Sequence, residues 1–307
     1  MKIHSYNEWD KLKEIIVGTA TNANWPSNDP VFSKESERTT WKETPVPAGP
    51  VPQWIIDESN EDLDGLVGIL KQAGVTVHRP NNLDFVKIGG MYNYCPRDRL
   101  LIAGNKIVDP SMMYPCRNIE VLGLSKVIDG NEVITMPDSP EYVMDAANVC
   151  RLNDKWIFLE SVSGNRPAAV WLAAQFPEID IHGCNFYSGV HIDSTIVPLN
   201  DGTVMLNADR VNKDNLPECL KDWKHIWIEE KDVVAQDFYQ YPYASKWIGL
   251  NTLSIDPKTV IVDASQKSII KKLEKLKFTV IPHTLRHSRT LGGGFHCVTL
   301  DTWREND

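Results

Sequence analysis

The stretch Ile269-Ile270-Lys271-Lys272-Leu273-Glu274-Lys275-Leu276-Lys277-Phe278-Thr279-Val280-Ile281-Pro282-His283 changes period partway along. Ile269, Ile270, Leu273 and Leu276 recur at helical spacing, and the β-branched run that follows reads as a strand. The reading is an amphipathic helix, a tight turn and a short strand. Lys267, Lys271, Lys272, Lys275 and Lys277 interleave with the apolar positions as a solvated helix face. Leu63 to His78 has the same form, with Leu63, Leu66, Val67 and Leu70 on the helix, Gly74 as its stop and Val75-Thr76-Val77 as the strand. Ala168 to His182 repeats it a third time.

A second form alternates with the first: a polar motif, then two apolar runs around a turn, which reads as a β-hairpin. Asp98 precedes Leu100 to Val108, turning at Gly104-Asn105, and Asp145 precedes Val149 to Leu159, turning at Asn153-Asp154. His191 and Asp193 precede Ile196 to Leu206, turning at Asn200-Asp201-Gly202, and Ser245 precedes Ile248 to Val262, turning near Asp256-Pro257-Lys258. Repeats of this kind stack or close around an axis. A closed ring would gather Asp98, Asp145, His191 and Ser245 in one place. Its fifth unit would be split, with the strand Glu14 to Gly18 completing the unit that carries Cys297. An ordinary α/β sheet with polar turn formers satisfies the periodicity equally well.

The 307 residues suffice for one large domain, 1–307. No apolar run reaches membrane-spanning length, and Met1-Lys2-Ile3-His4-Ser5-Tyr6 resembles neither a signal nor a transit peptide, so a soluble, cytoplasmic protein is expected. The net charge of −9 argues against a nucleic-acid partner, which requires a clustered basic footprint. Cys95, Cys116, Cys150, Cys184, Cys219 and Cys297 are widely spread, without zinc-ligand spacing, and read as reduced thiols. Nothing in the pattern predicts a metal or a cofactor.

Near the C-terminus, Gly292-Gly293-Gly294-Phe295-His296-Cys297 sets a thiol beside three glycines, which permit close approach of a ligand to the backbone. Taken with Ser5-Tyr6-Asn7-Glu8-Trp9-Asp10, Pro96-Arg97-Asp98, Asp145-Ala146-Ala147, His191-Ile192-Asp193 and Ser245-Lys246-Trp247, this run resembles the amidinotransferases, most of all the arginine:glycine type. The resemblance spans the whole chain. It implies a five-bladed, pseudo-symmetric α/β propeller of ββαβ modules around a polar pocket. It also implies Cys297 as nucleophile, His191 as general acid/base and Asp145 as their partner carboxylate. By the same resemblance Asp98 is a second guanidinium carboxylate, and Asp193, Arg210 and Ser245 hold the amino and carboxylate ends of the amino-acid donor. The implied reaction moves the amidino group of L-arginine through an amidino-cysteine to an acceptor amine, with glycine giving ornithine and guanidinoacetate. The implied partners are these small molecules, and a homodimer is compatible with them.

The chemistry accounts for the residue types. A guanidinium is planar, cationic and a poor electrophile, so carboxylates such as Asp98 and Asp145 must orient it toward the sulfur. A thiolate attacks, and one imidazole can protonate the leaving nitrogen and later deprotonate the incoming amine. Several features depart from the resemblance. Asn148 stands where an acidic residue is usual, Ala244 where a second serine is usual in glycine-using relatives, and Asp98 and Asp145 are only 47 positions apart. These features bear on the acceptor, leaving open another amine or an arginine deiminase-like hydrolysis by water. A non-catalytic arginine binder would have no need of Cys297 with His191.

Overall fold

Asn153 takes a left-handed backbone, with φ of 65°, and Gly202 one of 93°. Two-residue hairpin turns demand such residues, and each of these reverses the chain between two strands. The first hairpin is Val149–Leu152 with Lys155–Leu159, and the second is Ile196–Asn200 with Thr203–Asn207. The computed structural model describes residues 1–38, 47–235 and 243–305. Within them a hairpin and a returning strand join into one three-stranded unit that occurs five times, beside the small pair Asn24–Trp25 with Gly49–Pro50.

Each unit is a three-stranded sheet in which an antiparallel pair accepts a third, parallel strand returning through a crossover. In the second unit Leu101–Ala103 and Lys106–Asp109 are joined by Val133–Thr135. In the third and fourth units the hairpins above are joined by Asp180–Cys184 and Lys224–Ile228. The fifth pairs Leu253–Asp256 with Thr259–Asp263, then Thr279–His283. The first unit is split across the chain. Lys11–Val17 pairs antiparallel with Thr299–Glu305, immediately after Cys297, and parallel with Thr76–His78.

The three crossovers with a helical apolar stripe are helices: Gln53–Gln72, Arg166–Gln175 and Lys267–Lys275. In the last, Ile269, Ile270 and Leu273 are the buried face, as their spacing predicts. The other two crossovers lack that stripe. One is the 3₁₀ run Pro115–Leu124 leading into Ser125–Ile128, and the other is the short turn Glu218–Leu220. Ile248, expected to open a strand, lies instead in the 3₁₀ turn Lys246–Leu250, and the hairpin begins at Leu253.

Five apolar clusters fill the spaces between sheets. Leu300 and Ile16 of the first unit pack with Ile102 and Ile107 of the second. Leu101 and Val108 pack with Val149 and Phe158, Ile157 and Leu159 with Ile196 and Leu206, and Leu199 and Met205 with Val260 and Val262. The last unit returns to the first, since Leu253, Ile255 and Ile261 share a cluster with Ile15 and Val17. The hairpin strands of each unit are thereby buried on both sides and are nearly continuous apolar runs, whereas the returning third strands, such as Asp180–Cys184 and Thr279–His283, are half-buried and mixed in composition. No helix among the described residues is long and apolar enough to cross a membrane.

A buried ion network crosses these interfaces. Arg151, 1% exposed, donates to both Glu8 oxygens at 2.9 Å, to Ser5 Oγ at 3.0 Å, to Ile102 O at 2.8 Å and to Asp301 at 3.0 and 3.1 Å. Burial opposes ionisation of Glu8 and Asp301, but Arg151 holds both carboxyls well below the usual range. Truncating one partner of such a network leaves uncompensated buried charge. Arg151→Met should therefore lower the unfolding free energy by about 3–5 kcal/mol. Urea denaturation would show this as a shifted midpoint at constant slope, and a shift within error of zero would make the network energetically neutral.

Candidate active site

The polar residues that precede the hairpins are set by short local devices. Asp98 sits in the single helical turn Pro96–Arg99, with proline in its first turn, where the missing N–H costs nothing. Asp145 precedes the 3₁₀ turn Ala146–Asn148, its backbone N–H donating to Ser163 O at 2.8 Å. Ser245 precedes Lys246–Leu250. Cys297 lies in the turn that leads into the strand Thr299–Glu305. His191 has φ of 59°, an uncommon conformation for a residue with a side chain, and the Tyr187 hydroxyl donates to its carbonyl. Backbone outliers of this kind concentrate at working sites.

The glycine run is required by packing. Gly292 has φ of 76°, while a Cβ on Gly293 would lie 2.4 Å from Cys95 Sγ and one on Gly294 2.6 Å from Asn251. No larger residue fits at these last two positions without displacing the turn that carries the thiol.

Tyr187, His191, Asp193, Arg210, Ser245 and Cys297 line one cavity of about 310 Å³. Asp98 and Asp145 lie behind His191, whose Nε2 is 2.9 Å from Asp145 Oδ2 and whose Nδ1 is 3.6 Å from Asp98 Oδ1. The two aspartates differ in how fully they are engaged. Asp145 also accepts from Met113 N at 2.8 Å. Asp98 Oδ2 accepts from Arg117 Nη1 at 3.0 Å, but its Oδ1 is buried with no hydrogen-bond partner. A buried carboxylate oxygen left unpaired is costly, and a bound donor would satisfy it.

Asp193 shares the cavity with Arg210 and Ser245, yet its carboxylate faces the thiol. Cys297 Sγ donates to Asp193 Oδ2 at 3.1 Å, and His296 Nδ1 is 2.9 Å from the same oxygen. His296 Nε2 continues to Glu8 Oε2 at 3.1 Å. Burial would raise the Asp193 carboxyl, but the His296 hydrogen bond and the two histidine charges hold it down to about 2. Arg210 lies over the Tyr187 ring, 3.9 Å from its centroid, and donates to Thr195 Oγ1 at 2.8 Å. Burial lowers its pKa from the ordinary guanidinium value, against the opposing pull of Tyr187 and Asp209.

Burial first, then Asp193 and Asp98, push the Cys297 thiol well above its ordinary value. The resting sulfur is therefore protonated. His191 is the opposite case: burial opposes its charge, but Asp98 and the Asp145 hydrogen bond outweigh that and lift it to about 9. A cation placed near Asp98 and Asp193 would offset the negative charge that, together with burial, holds the thiol neutral, so the arrangement favours a cationic ligand and ties ionisation of the thiol to it.

Sequence reasoning left His296, Glu8, Asn251, Arg117 and Tyr187 without roles. His296 and Glu8 lie inside quoted motifs, and that adjacency is the signal that marked them. Asn251 and Arg117 carry none, because their contacts join segments 46 and 19 positions apart in the chain.

No family model matches the chain. It is 38% identical over 335 residues to inosamine-phosphate amidinotransferase 1 of Streptomyces glaucescens, covering 97% of this chain and 96% of that protein. It is 29% identical over 353 residues to the mitochondrial glycine amidinotransferase of Gallus gallus, covering 98% and 82% respectively. The solved inosamine-phosphate amidinotransferase of Streptomyces griseus superposes with a TM-score of 0.91 at 35% identity, over 99% of this chain and 97% of that one.

The His191 charge has a pH signature. An unfolded histidine titrates near 6.5, and the folded value of about 9 is higher. The stabilisation from its carboxylate contacts is thus complete below about 6.5 and is lost as pH rises through about 9. A Cε1–H NMR titration, assigned by the signal missing in His191→Gln, should give a midpoint near 9. Asp98→Asn should move it down, since Asp98 is the largest upward influence. A native midpoint at or below the free-histidine value would contradict the carboxylate pairing.

Proposed function

Because the chain belongs to the amidinotransferase family, we propose that it moves the amidino group of L-arginine through a covalent adduct on Cys297 to an acceptor amine. The observation that carries this reading is the buried Oδ1 of Asp98, which has no hydrogen-bond partner and faces His191 at 3.6 Å, beside a cavity that ends on the Cys297 thiol. In this reading the protein is one catalytic domain, a closed five-bladed propeller of ββαβ modules. The cyclic packing of its five sheets supports that geometry.

Asp98 and Asp145 orient the guanidinium, and its charge lets the Cys297 thiol lose its proton to solvent, leaving the thiolate. The sulfur lone pair forms a C–S bond while the C=N electron pair moves onto nitrogen. Collapse of that tetrahedral adduct breaks the bond to the δ-nitrogen, which takes a proton from His191 and departs as ornithine. The acceptor amine then attacks the amidino carbon, gives a proton to His191 and expels the sulfur. Arg210 and Ser245 receive the carboxylate of the departing or arriving amino acid. Among the described residues no carboxylate forms an ion pair with Arg210, which supports an anionic group on that end of the substrate.

Glycine, yielding guanidinoacetate, is one acceptor this site would serve. An inosamine phosphate is a second reading, favoured by identity of 38% against 29%. Incubation of the protein with labelled arginine and each amine distinguishes them by the guanidino product formed, and citrulline as the main product would overturn transfer altogether.

Arginine alone should release ornithine and add about 42 Da to the protein, the mass of an amidino group replacing hydrogen. Cys297→Ala should reduce turnover by more than about a thousandfold while leaving arginine bound. In that background, calorimetry should find arginine affinity weakened in Asp98→Asn by the loss of a charge-assisted bond, about 1.5–3 kcal/mol. His191→Asn should bind arginine nearly as well as its parent. Equal loss in the two variants would make His191 an anchor and not a proton carrier.

A further inference from the structure

We propose that Asn251 is a further catalytic residue, whose side-chain amide donates a hydrogen bond to the Cys297 sulfur and stabilises it as thiolate on entry to, and departure from, the amidino adduct. The proposal rests on the transfer reading above. Asn251 Nδ2 lies 3.1 Å from Cys297 Sγ, within hydrogen-bond range for sulfur. The orientation of the amide follows from its other end. Oδ1 accepts from the backbone N–H of His296 at 2.8 Å and from that of Cys297 at 3.1 Å. Two obligate donors on one atom require that atom to be the oxygen, so the NH₂ group is the one that meets the sulfur.

The residue is fixed as well as oriented. Asn251 is 1% exposed, its N–H donates to Ile248 O at 3.0 Å, and its carbonyl accepts from Phe295 N at 3.0 Å. Gly294 is what allows the approach, because a Cβ there would stand 2.6 Å from Asn251.

The other groups that hydrogen-bond to the sulfur or act on its charge are titratable. Asp193 meets it from the segment before Ile196–Asn200 and Asp98 from Pro96–Arg99, both adverse to negative charge, and Cys95 lies behind Gly293. His191 offers positive charge from across the cavity, while His296 acts on the sulfur through Asp193. Asn251 is the neutral donor in that set, available at any pH. Negative charge sits on sulfur just before the C–S bond forms and again as the bond breaks toward the acceptor. A fixed N–H donor therefore serves both half-reactions.

Two substitutions separate this role from that of a clamp on the turn. Asn251→Ala removes the donor and both backbone contacts without adding charge. Asn251→Asp keeps an oxygen for the two backbone N–H groups but loses the donor. The readouts are iodoacetamide alkylation of Cys297 against pH, followed on its peptide by mass spectrometry, and the single-turnover burst of ornithine from arginine. Both variants should move the alkylation profile to higher pH, slow it at pH 8 by about tenfold or more, and slow the burst similarly. The arginine concentration giving half-maximal burst rate should change by less than about threefold, because Asp98 and Asp145 are untouched. If Asn251→Ala folds and its alkylation profile coincides with the native one, the donor role is overturned, whatever its urea midpoint does. If Asn251→Ala does not fold, an Asn251→Asp burst at the native rate overturns it equally. Absence of any ornithine burst in the native protein would instead remove the transfer reading, with the alkylation profiles still deciding whether Asn251 holds the thiolate.

Discussion

The charge network centred on Arg151 and Asp301 is the constraint on which the arrangement of the site depends. Asp301 belongs to the strand that follows Cys297, Arg151 to the third sheet, and Glu8 to the N-terminal motif. Arg97, next to Asp98, pairs with the same aspartate, as does Arg304. Segments from both ends of the chain thus meet one cluster of charges, and none can move without stranding a buried ion. Glu8 then passes the constraint on through His296 and Asp193 to the sulfur. The Cys297 thiol is held from the same hub that holds the split sheet together.

This coupling gives the cavity an excess of negative charge. Three aspartates crowd one histidine and one thiol, and burial magnifies their interaction. The histidine responds by staying charged and the thiol by staying neutral. Asp98 keeps one oxygen unpaired. In the proposed reaction a guanidinium would answer all three conditions, since it supplies N–H donors and positive charge together. Neutral ligands of the same size would supply N–H donors without the positive charge, so discrimination would lie in the charge balance.

Much of the fold was legible locally. The turns at Gly104, Asn153 and Gly202 and the apolar stripe of Ile269, Ile270 and Leu273 announced their elements, because positive φ and helical periodicity are properties of a few neighbouring residues. The crossovers Pro115–Leu124 and Glu218–Leu220 were not legible, for a short 3₁₀ turn has no stripe to read. Ile248 was misread for a related reason: an apolar residue near a hairpin belongs to strand or turn according to what it packs against, here the capping of the unit by Lys246–Leu250.

The sequence by itself determined which residue types could do chemistry: a cysteine among glycines, a histidine and several aspartates at hairpin entrances, in a chain without basic patches or metal spacing. Only the tertiary structure decided how they are shared. It set Asp193 against the thiol, left Asp98 with a free oxygen, gave Asp145 to His191 and Met113, and brought Asn251 to the sulfur. Hydrogen-bond capacity is finite and directional, and which donor reaches which lone pair depends on distances of a few tenths of an ångström between segments remote in the chain. Residue spacing along a sequence does not encode those distances, which arise only when the five sheets pack against one another.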